Sequence, residues 1–302
     1  MKTYPLVSIL TITYNRADLL PRCIESIRRQ TFTDYEHIIV DGASTDNTTD
    51  VVKAYNDDRI KYVRLEEKGP AVQMAKAFEI SSGEFITFLD DDDEYLSDKL
   101  EKQVAFMLAQ PDDIGLVYCW MAYFDSNSLS PHNGGEPFRI HGPREDGDVA
   151  DIAISRPVIC GTPTLMVRRN VIEKAGGIYR DDVGLIGSDW EFASRVCQLT
   201  KVACLPKTLV NVYVNHGHAR LTTDLQQQKL DKEIVFHQYF LKTYESRFKA
   251  KPALAEYHLY SLCIAYIKKR DFKTGLSYYR RLLGSKPPLK HIVVPLAFLV
   301  KR

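Results

Sequence analysis

Phe85-Ile86-Thr87-Phe88-Leu89-Asp90-Asp91-Asp92-Asp93 joins an unbroken apolar run to four adjacent carboxylates. The apolar part has the length and residue types of a buried strand, and the acids mark where it ends. Neighbouring negative charges repel, at roughly 1 kcal/mol per pair at about 4 Å in water and several-fold more where solvent is partly excluded. Such a strand end needs a cation or must open into solvent. In an extended segment residues i and i+2 point the same way, so Asp90 and Asp92 are expected to converge on one ligand while Asp91 turns aside. Hard carboxylate oxygens suit Mg²⁺ or Mn²⁺, metals that commonly take phosphates as their remaining ligands. The plainer alternative is a solvated acidic turn ahead of the next helix.

Outward from this stretch the chain alternates strands and helices. Val7–Thr13, Glu36–Val40 and Ile60–Leu65 are compact apolar strands. Between them Leu20, Cys23, Ile24 and Ile27 fall at helical spacing, with Pro21 tolerated in the first turn. Val51, Val52 and Tyr55 mark a second helix, and Ala71, Met74, Ala75 and Phe78 a third. Ser97 is expected to cap a fourth, with Leu100, Val104 and Leu108 inward. Strands separated by helices of this length predict right-handed crossovers and a mostly parallel sheet. Ligands then gather beyond the carboxyl ends of the strands. Three polar clusters lie there: Thr13-Tyr14-Asn15-Arg16, Asp41 with its turn, and Asp90–Asp93.

The second half is less regular. Asp125–Asp148 is rich in Gly, Pro, Ser and Asn and reads as a long loop. Val158–Val167, Val202–Leu205 and Leu209–Val214 read as extended. Ser188-Asp189 opens a helix with Phe192, Val196 and Leu199 inward, and capping that helix is the plain role for Asp189. Beyond about Thr222 the pattern is helical throughout, and Tyr257–Leu283 reads as a hairpin of two amphipathic helices joined at Arg270-Asp271.

At 302 residues the chain can bury a full core, with one large domain and an appendage as the natural partition. A formal net charge of +1 gives no global reason to expect nucleic acid binding. The six cysteines are scattered without metal-ligand spacing, read as small core residues, and point to a reducing cytoplasm. The apolar start Leu6–Tyr14 is too short and too β-branched for a signal peptide, and no stretch is long enough to span a bilayer.

Val7-Ser8-Ile9-Leu10-Thr11-Ile12-Thr13-Tyr14-Asn15-Arg16, then Ile39-Val40-Asp41-Gly42-Ala43-Ser44-Thr45-Asp46-Asn47-Thr48, then Phe88-Leu89-Asp90-Asp91-Asp92-Asp93, resemble in order and spacing the family 2 glycosyltransferases of GT-A fold. Pro163–Arg195, with Arg168-Arg169, Gly176-Gly177 and Ser188-Asp189-Trp190-Glu191, is similar to the acceptor-side half of the same family. The resemblance covers roughly residues 5 to 220. It implies a GT-A domain over 1–222, with a mostly parallel central sheet flanked by helices, and a C-terminal helical appendage over 223–302. It also implies inverting, metal-dependent transfer from a nucleotide-sugar, UDP-linked by expectation, to a glycan or lipid-linked glycan acceptor.

The same resemblance assigns residues. Thr13, Tyr14 and Asp41 would hold the nucleotide base, Asp41 accepting from a ring N–H of uracil, and Asn15 and Arg16 belong to the same nucleotide-binding set. Lys68, Asp90 and Asp91 belong to the nucleotide side, with Asp90 at the ribose. Asp92 and His216 would hold the divalent metal, Mn²⁺ or Mg²⁺, that bridges the diphosphate. Asp189 matches the catalytic base. Arg220 would reach phosphate or face water, and a solvated loop histidine is an equal reading of His216.

The chain also departs from the family pattern. Gly69-Pro70-Ala71-Val72-Gln73-Met74-Ala75-Lys76-Ala77-Phe78 stands where many relatives carry Gly-Pro-Tyr-Asp-Ala-Met-Asn-Lys-Gly-Ile, so Val72 and Ala75 replace polar groups. The Gln-x-x-Arg-Trp motif of processive synthases is missing, which favours single addition. Two other classes stay open: a catalytically silent nucleotide-sugar-binding or scaffold protein, and, more weakly, a nucleotidyltransferase. The C-terminal Lys286–Arg302 is an apolar core between cationic flanks, expected either to pack on the helical hairpin or to lie at an anionic membrane surface.

Overall fold

Strands β1 (Val7–Thr13), β2 (Tyr35–Asp41), β3 (Ile60–Arg64) and β4 (Phe85–Phe88) pair in parallel in the order β3-β2-β1-β4. The computed structural model describes residues 4–126, 135–157, 159, 161–180, 187–218, 229–285 and 287–288. Helices α1 (Leu20–Arg28), α2 (Thr48–Lys53) and α3 (Pro70–Ile80) make the crossovers between those strands. Strands β2 and β4 are buried at every position and β1 at all but one, as a helix-covered parallel sheet requires, while the edge strand β3 is only partly buried.

Beyond β4 the sheet becomes mixed. Strand β5 (Glu94–Tyr95) and helix α4 (Lys99–Leu108) lead to β6 (Ile114–Asp125), after which come β7 (Arg139–His141), α5 (Ala150–Ser155), β8 (Leu165–Arg168) and α6 (Arg169–Lys174). Helix α7 (Ser188–Cys197) and strand β9 (Lys201–Val214) complete this part. The order continues β4-β8-β6-β9-β5, with β4–β8, β6–β8, β6–β7 and β9–β5 antiparallel and β6–β9 parallel. The two extended runs expected at 202–205 and 209–214 are one strand, with register shifts against β6 where Pro206 interrupts it.

Two helical faces differ from their expected stripes. Asp98 rather than Ser97 precedes α4, and Leu108 is 59% exposed, while Lys99 and Gln103 are fully buried beside Leu100 and Val104. On α7 Phe192 and Val196 are buried, but the helix stops at Cys197 and Leu199 is exposed in the turn beyond it. Both expectations extended an apolar stripe one turn past the point where the chain leaves the core.

The chain divides into two compact units: one holds β1–β9, α1–α4, α6 and α7 from Asp189 onward, the other α5 with the C-terminal helices α8 (Lys229–Thr243), α9 (Glu245–Ala250), α10 (Glu256–Lys268) and α11 (Phe272–Gly284). Asp151 and Ile154 on α5 explain its membership of the second unit. Asp151 pairs with Arg247 (3.0 Å) and with Lys251, and the Ile154 carbonyl accepts from His258 Nε2 (2.7 Å). With its Nε2–H so engaged, neutral His258 presents a lone pair at Nδ1, and His237 Nδ1 donates to it across 2.9 Å. His258 also stacks on Phe240, with ring centroids 4.8 Å apart.

Burial holds these rings neutral. His237 is pushed down to about 3 by burial and then by His258, and His258 to about 4 by burial. In the first unit burial takes His37 down to about 3. All three bind a proton when unfolded, near pH 6.5, and not when folded. Stability therefore rises with pH between about 4 and 6.5 and is lost on acidification through that window. Each histidine adds a slope of about 1.4 kcal/mol per pH unit. Denaturant midpoints measured from pH 7 to pH 5 should fall, and His258→Phe should reduce the dependence.

Candidate active site

Register brings the first two polar clusters together. Thr13 and Asp41 are Cα partners at the ends of β1 and β2, and Gly42 N–H donates to the Thr13 carbonyl (3.0 Å). The two rim loops then interlock: Asn15 N–H donates to Ser44 Oγ (2.8 Å), and Asn15 Oδ1 accepts from Thr45 N–H (2.7 Å). Asn15 holds a left-handed φ of 51°, a conformation asparagine tolerates. Gln73 on α3 braces the rim from behind, donating to the carbonyls of Thr13 (2.9 Å) and Val40 (3.0 Å). Gly42 is required there, because a Cβ would stand 2.8 Å from the Gln73 side chain.

Asp41 is fully buried and held on both oxygens. Oδ1 accepts from Ser44 N–H (2.9 Å) and Oγ (2.6 Å), and Oδ2 accepts from the Tyr62 hydroxyl (2.6 Å), whose pKa burial and Asp41 raise to about 12. Tyr14 is 38% exposed, and Lys68 Nζ lies 4.8 Å from its ring centroid. The rim thus presents an aromatic face and an ammonium beside a fixed carboxylate.

The acidic run forms a tight turn rather than a strand extension, with Asp93 N–H donating to the Asp90 carbonyl (3.1 Å). Asp90 is exposed, while Asp91, Asp92 and Asp93 are buried. Arg16 Nη1 reaches Asp91 (2.7 Å) and Asp92 (3.1 Å), which ties the β1 rim to the turn. Burial raises the Asp91 pKa, opposed by the Arg16 charge and reinforced by Asp92. His216, just past β9, places Nε2 2.9 Å from Asp92 Oδ2. Arg22 donates to the Asp92 carbonyl (2.6 Å) and covers the Tyr213 ring at 3.7 Å.

Among the described residues, Asp90, Asp92 and Asp93 offer carboxylate oxygens within 4.8 Å of one another. Three hard oxygen donors at that spacing fit a divalent cation of the Mg²⁺ or Mn²⁺ kind. The convergence of Asp90 and Asp92 is present, though a turn produces it. Asp93, for which strand alternation predicts no place beside Asp90 and Asp92, joins the set; its Oδ1 also accepts from Tyr213 N–H (3.1 Å).

Asp189 stands exposed in the first turn of α7. A Cβ on Gly161 would lie 3.8 Å from its Oδ2. Tyr179 feels both acidic regions: burial raises its pKa well above the ordinary phenol value, and the charges of Asp189 and Asp90 add to the rise while Thr162 hydrogen bonds to it. Sequence reasoning gave Tyr179 no role, because a single tyrosine after Gly176-Gly177 has no periodic or motif signal. Arg195 fixes the preceding loop, donating to the carbonyls of Ala175 (2.6 Å), Gly177 (2.9 Å) and Ile178 (2.5 Å) while Nε holds Glu191 (2.7 Å). Val72 and Ala75 are exposed on α3 and contribute no polar atom. Arg220 and most of the tail lie outside the described residues.

Behind the acidic turn sits Lys99, fully buried. Its Nζ donates to Gln103 Oε1 (2.6 Å) and Thr87 Oγ1 (3.1 Å) and lies 3.9 Å from the Tyr95 ring centroid. Thr87 donates to the Leu165 carbonyl (2.6 Å), Gln103 to that of Thr164 (2.8 Å), and Tyr95 to that of Phe88. Burial lowers the Lys99 pKa from 10.5 to about 8. The unfolded chain binds a proton between those values that the folded chain does not, so stability rises as pH increases from about 8 to 10.5. Lys99→Met should flatten that rise in denaturant midpoints.

Comparison with known proteins agrees with this architecture. A family described as "Glycosyl transferase family 2" matches residues 8–174. The UDP-Glc:alpha-D-GlcNAc-diphosphoundecaprenol beta-1,3-glucosyltransferase WfgD of Escherichia coli is 36% identical over 125 residues, which cover 41% of this chain and 49% of that protein. The match thus spans about half of that relative's length. Among solved structures, S. aureus TarS 1–349 in complex with UDP-GlcNAc has a TM-score of 0.60 at 17% identity, covering 90% of each chain. The mannosyltransferase PcManGT of Pyrobaculum calidifontis, in complex with GDP-Man and Mn²⁺, has a TM-score of 0.59 at 21% identity, covering 98% of this chain and 80% of that one. At such identities the likeness is one of fold, the GT-A arrangement of a mixed sheet flanked by helices. With more than half of its 302 residues matched by the family, the chain belongs to glycosyl transferase family 2.

Proposed function

We propose that the protein is an inverting, metal-dependent glycosyltransferase that moves a sugar from a UDP-linked donor to a lipid-linked glycan acceptor in surface polysaccharide assembly. The observation that carries this reading is that Asp90, Asp92 and Asp93 share one small volume, while Asp189, on the first turn of α7, is not part of that set. The named acceptor chemistry of the E. coli relative supports the lipid-linked class.

In this reading Tyr14 and Lys68 face the base and phosphates, and Thr13, Asn15, Arg16 and Asp41 shape the base pocket. Asp90 would serve the ribose edge and, with Asp92 and Asp93, would hold the metal; Asp91 keeps Arg16 in place. His216 fixes the Asp92 carboxylate or shares its ligand. A divalent cation held there would supply Lewis acidity to stabilise negative charge on a departing diphosphate. Asp189 takes the proton of the acceptor hydroxyl. The freed oxygen forms the new bond to the anomeric carbon from the face opposite the diphosphate, and the nucleoside diphosphate leaves with the electron pair of the broken C–O bond. One displacement inverts the anomeric configuration.

The domain of residues 1–222 would hold this chemistry, and 223–302 would serve acceptor delivery or membrane contact at the inner face of the cell membrane. A silent nucleotide-sugar-binding protein is the second reading, favoured by the apolar Val72 and Ala75. Incubation with UDP-sugars, Mn²⁺ and undecaprenyl-diphosphate-linked sugar decides between them. Glycosylated lipid of inverted configuration is expected, and donor binding without product under all donors supports the silent reading.

A further inference from the structure

The net charge of +1 conceals a sharp asymmetry. Residues 219–302 carry 17 Lys and Arg against 6 Asp and Glu, so the first 218 residues are acidic and the last third is strongly basic. Several of these cations are paired within the helical unit: Lys269 with Asp231, Arg247 and Lys251 with Asp151, Lys249 with Glu245. Those pairs use Asp231 and Glu245, together with Asp151 of α5. Lys268, Arg270, Lys273 and Arg280 are exposed, and none of them forms an ion pair among the described residues.

The exposed cations have a defined place. Arg270 takes a left-handed φ of 64° where α10 turns into α11, so Lys268, Lys269 and Arg270 form a basic corner. Helix α11 buries Gly275, Tyr279 and Leu282. Gly275 lets the two helices close: a Cβ there would meet Ile267 at 3.0 Å and the Cys263 carbonyl at 3.4 Å. An exposed side of α11 flanking that buried face carries Lys273, Leu276, Arg280 and Leu283 at i, i+3, i+7 and i+10, one continuous stripe. Leu276 is 37% exposed and Leu283 42%. The sequence that follows repeats the mixture, with Leu289-Lys290 leading into an apolar run that ends in Lys301-Arg302.

A surface of cations alone matches any polyanion. Leucines set between cations fit an interface that accepts both, where alkyl groups enter the headgroup–acyl boundary and cations meet lipid phosphates. We infer that the α10–α11 corner and the outer stripe of α11 dock on an anionic lipid bilayer. The inference deepens the membrane-contact part of the proposed function and is independent of the donor site. The contact is peripheral, since among the described residues no helix is long and apolar enough to cross a membrane.

Flotation of the full chain with phosphatidylcholine vesicles, with and without one-third phosphatidylglycerol, tests it. Binding to the anionic vesicles is expected, falling steeply from 0.05 to 0.5 M salt. Lys273→Glu with Arg280→Glu should lower the partition coefficient about 100-fold or more, since each cation near an anionic surface contributes about a tenfold factor or somewhat less. Leu276→Ser with Leu283→Ser should weaken binding while leaving salt sensitivity. Equal binding to neutral vesicles, no binding to anionic ones, or an unchanged charge-reversed variant would overturn the inference. So would stronger binding to heparin or RNA that the leucine substitutions leave intact. UDP binding with Mn²⁺, measured on the same variants, should be unchanged, which separates failure here from failure of the donor-site reading.

Discussion

Asp92→Asn is expected to lower Mn²⁺-dependent nucleotide affinity by about 100-fold or more and to lower transfer further, because losing a metal ligand costs more than the 10–100-fold typical of a supporting residue. Asp92 is the hub of the acidic turn: one oxygen meets Arg16 at 3.1 Å and His216 at 2.9 Å, and the carboxylate belongs to the three-residue oxygen set. The amide keeps the size and a carbonyl oxygen, so Arg16 and His216 retain an acceptor while the charge disappears. Without metal, the variant should unfold at no lower denaturant concentration than the unmodified chain, since a like charge beside Asp91 has been removed. Calorimetric titration of UDP with and without Mn²⁺ checks this. Unchanged metal-dependent affinity would remove Asp92 from the metal site.

Asp189→Asn should do the opposite. Nucleotide binding and its metal dependence remain, and transfer falls by about 100- to 10,000-fold, the range that a general base contributes. Asp189 is exposed on the first turn of α7 and is not part of the three-residue oxygen set, and asparagine keeps its size while removing the charge. Loss of its charge at that terminus costs about 0.3–1 kcal/mol, too little to explain such a loss of rate through unfolding. An active variant with normal donor affinity would take the role of base from Asp189 and return it to capping.

The two substitutions differ in what they leave behind, and the sequence already contained that difference. Strands β1 to β4 were legible because continuous apolar runs end in polar clusters, and a parallel sheet places those ends on one rim. Strand β6 was not, since twelve nearly all-buried residues show no alternation and look like any core segment. The antiparallel half follows from pairing across long sequence separations, which local pattern does not encode. Within the site, the acids were legible by composition. Their geometry came from a turn rather than from strand alternation, and so Asp93 was undervalued. Gln73, Tyr62 and Tyr179 carry no motif; each matters through a contact made only when distant segments meet. Lys99 and Gln103 carry no sequence signal either, and only their burial against Thr87 and Thr164 gives them meaning.

The central claim is that this rim binds a nucleotide-sugar through a divalent metal on the Asp90–Asp93 turn. Thermal unfolding of the unmodified chain with UDP-, GDP- and dTDP-sugars, each with and without Mn²⁺, tests it most directly. The account predicts a raised midpoint for the UDP-sugars that requires Mn²⁺ and disappears in Asp92→Asn. A midpoint unmoved by every nucleotide in the presence of Mn²⁺ would contradict it.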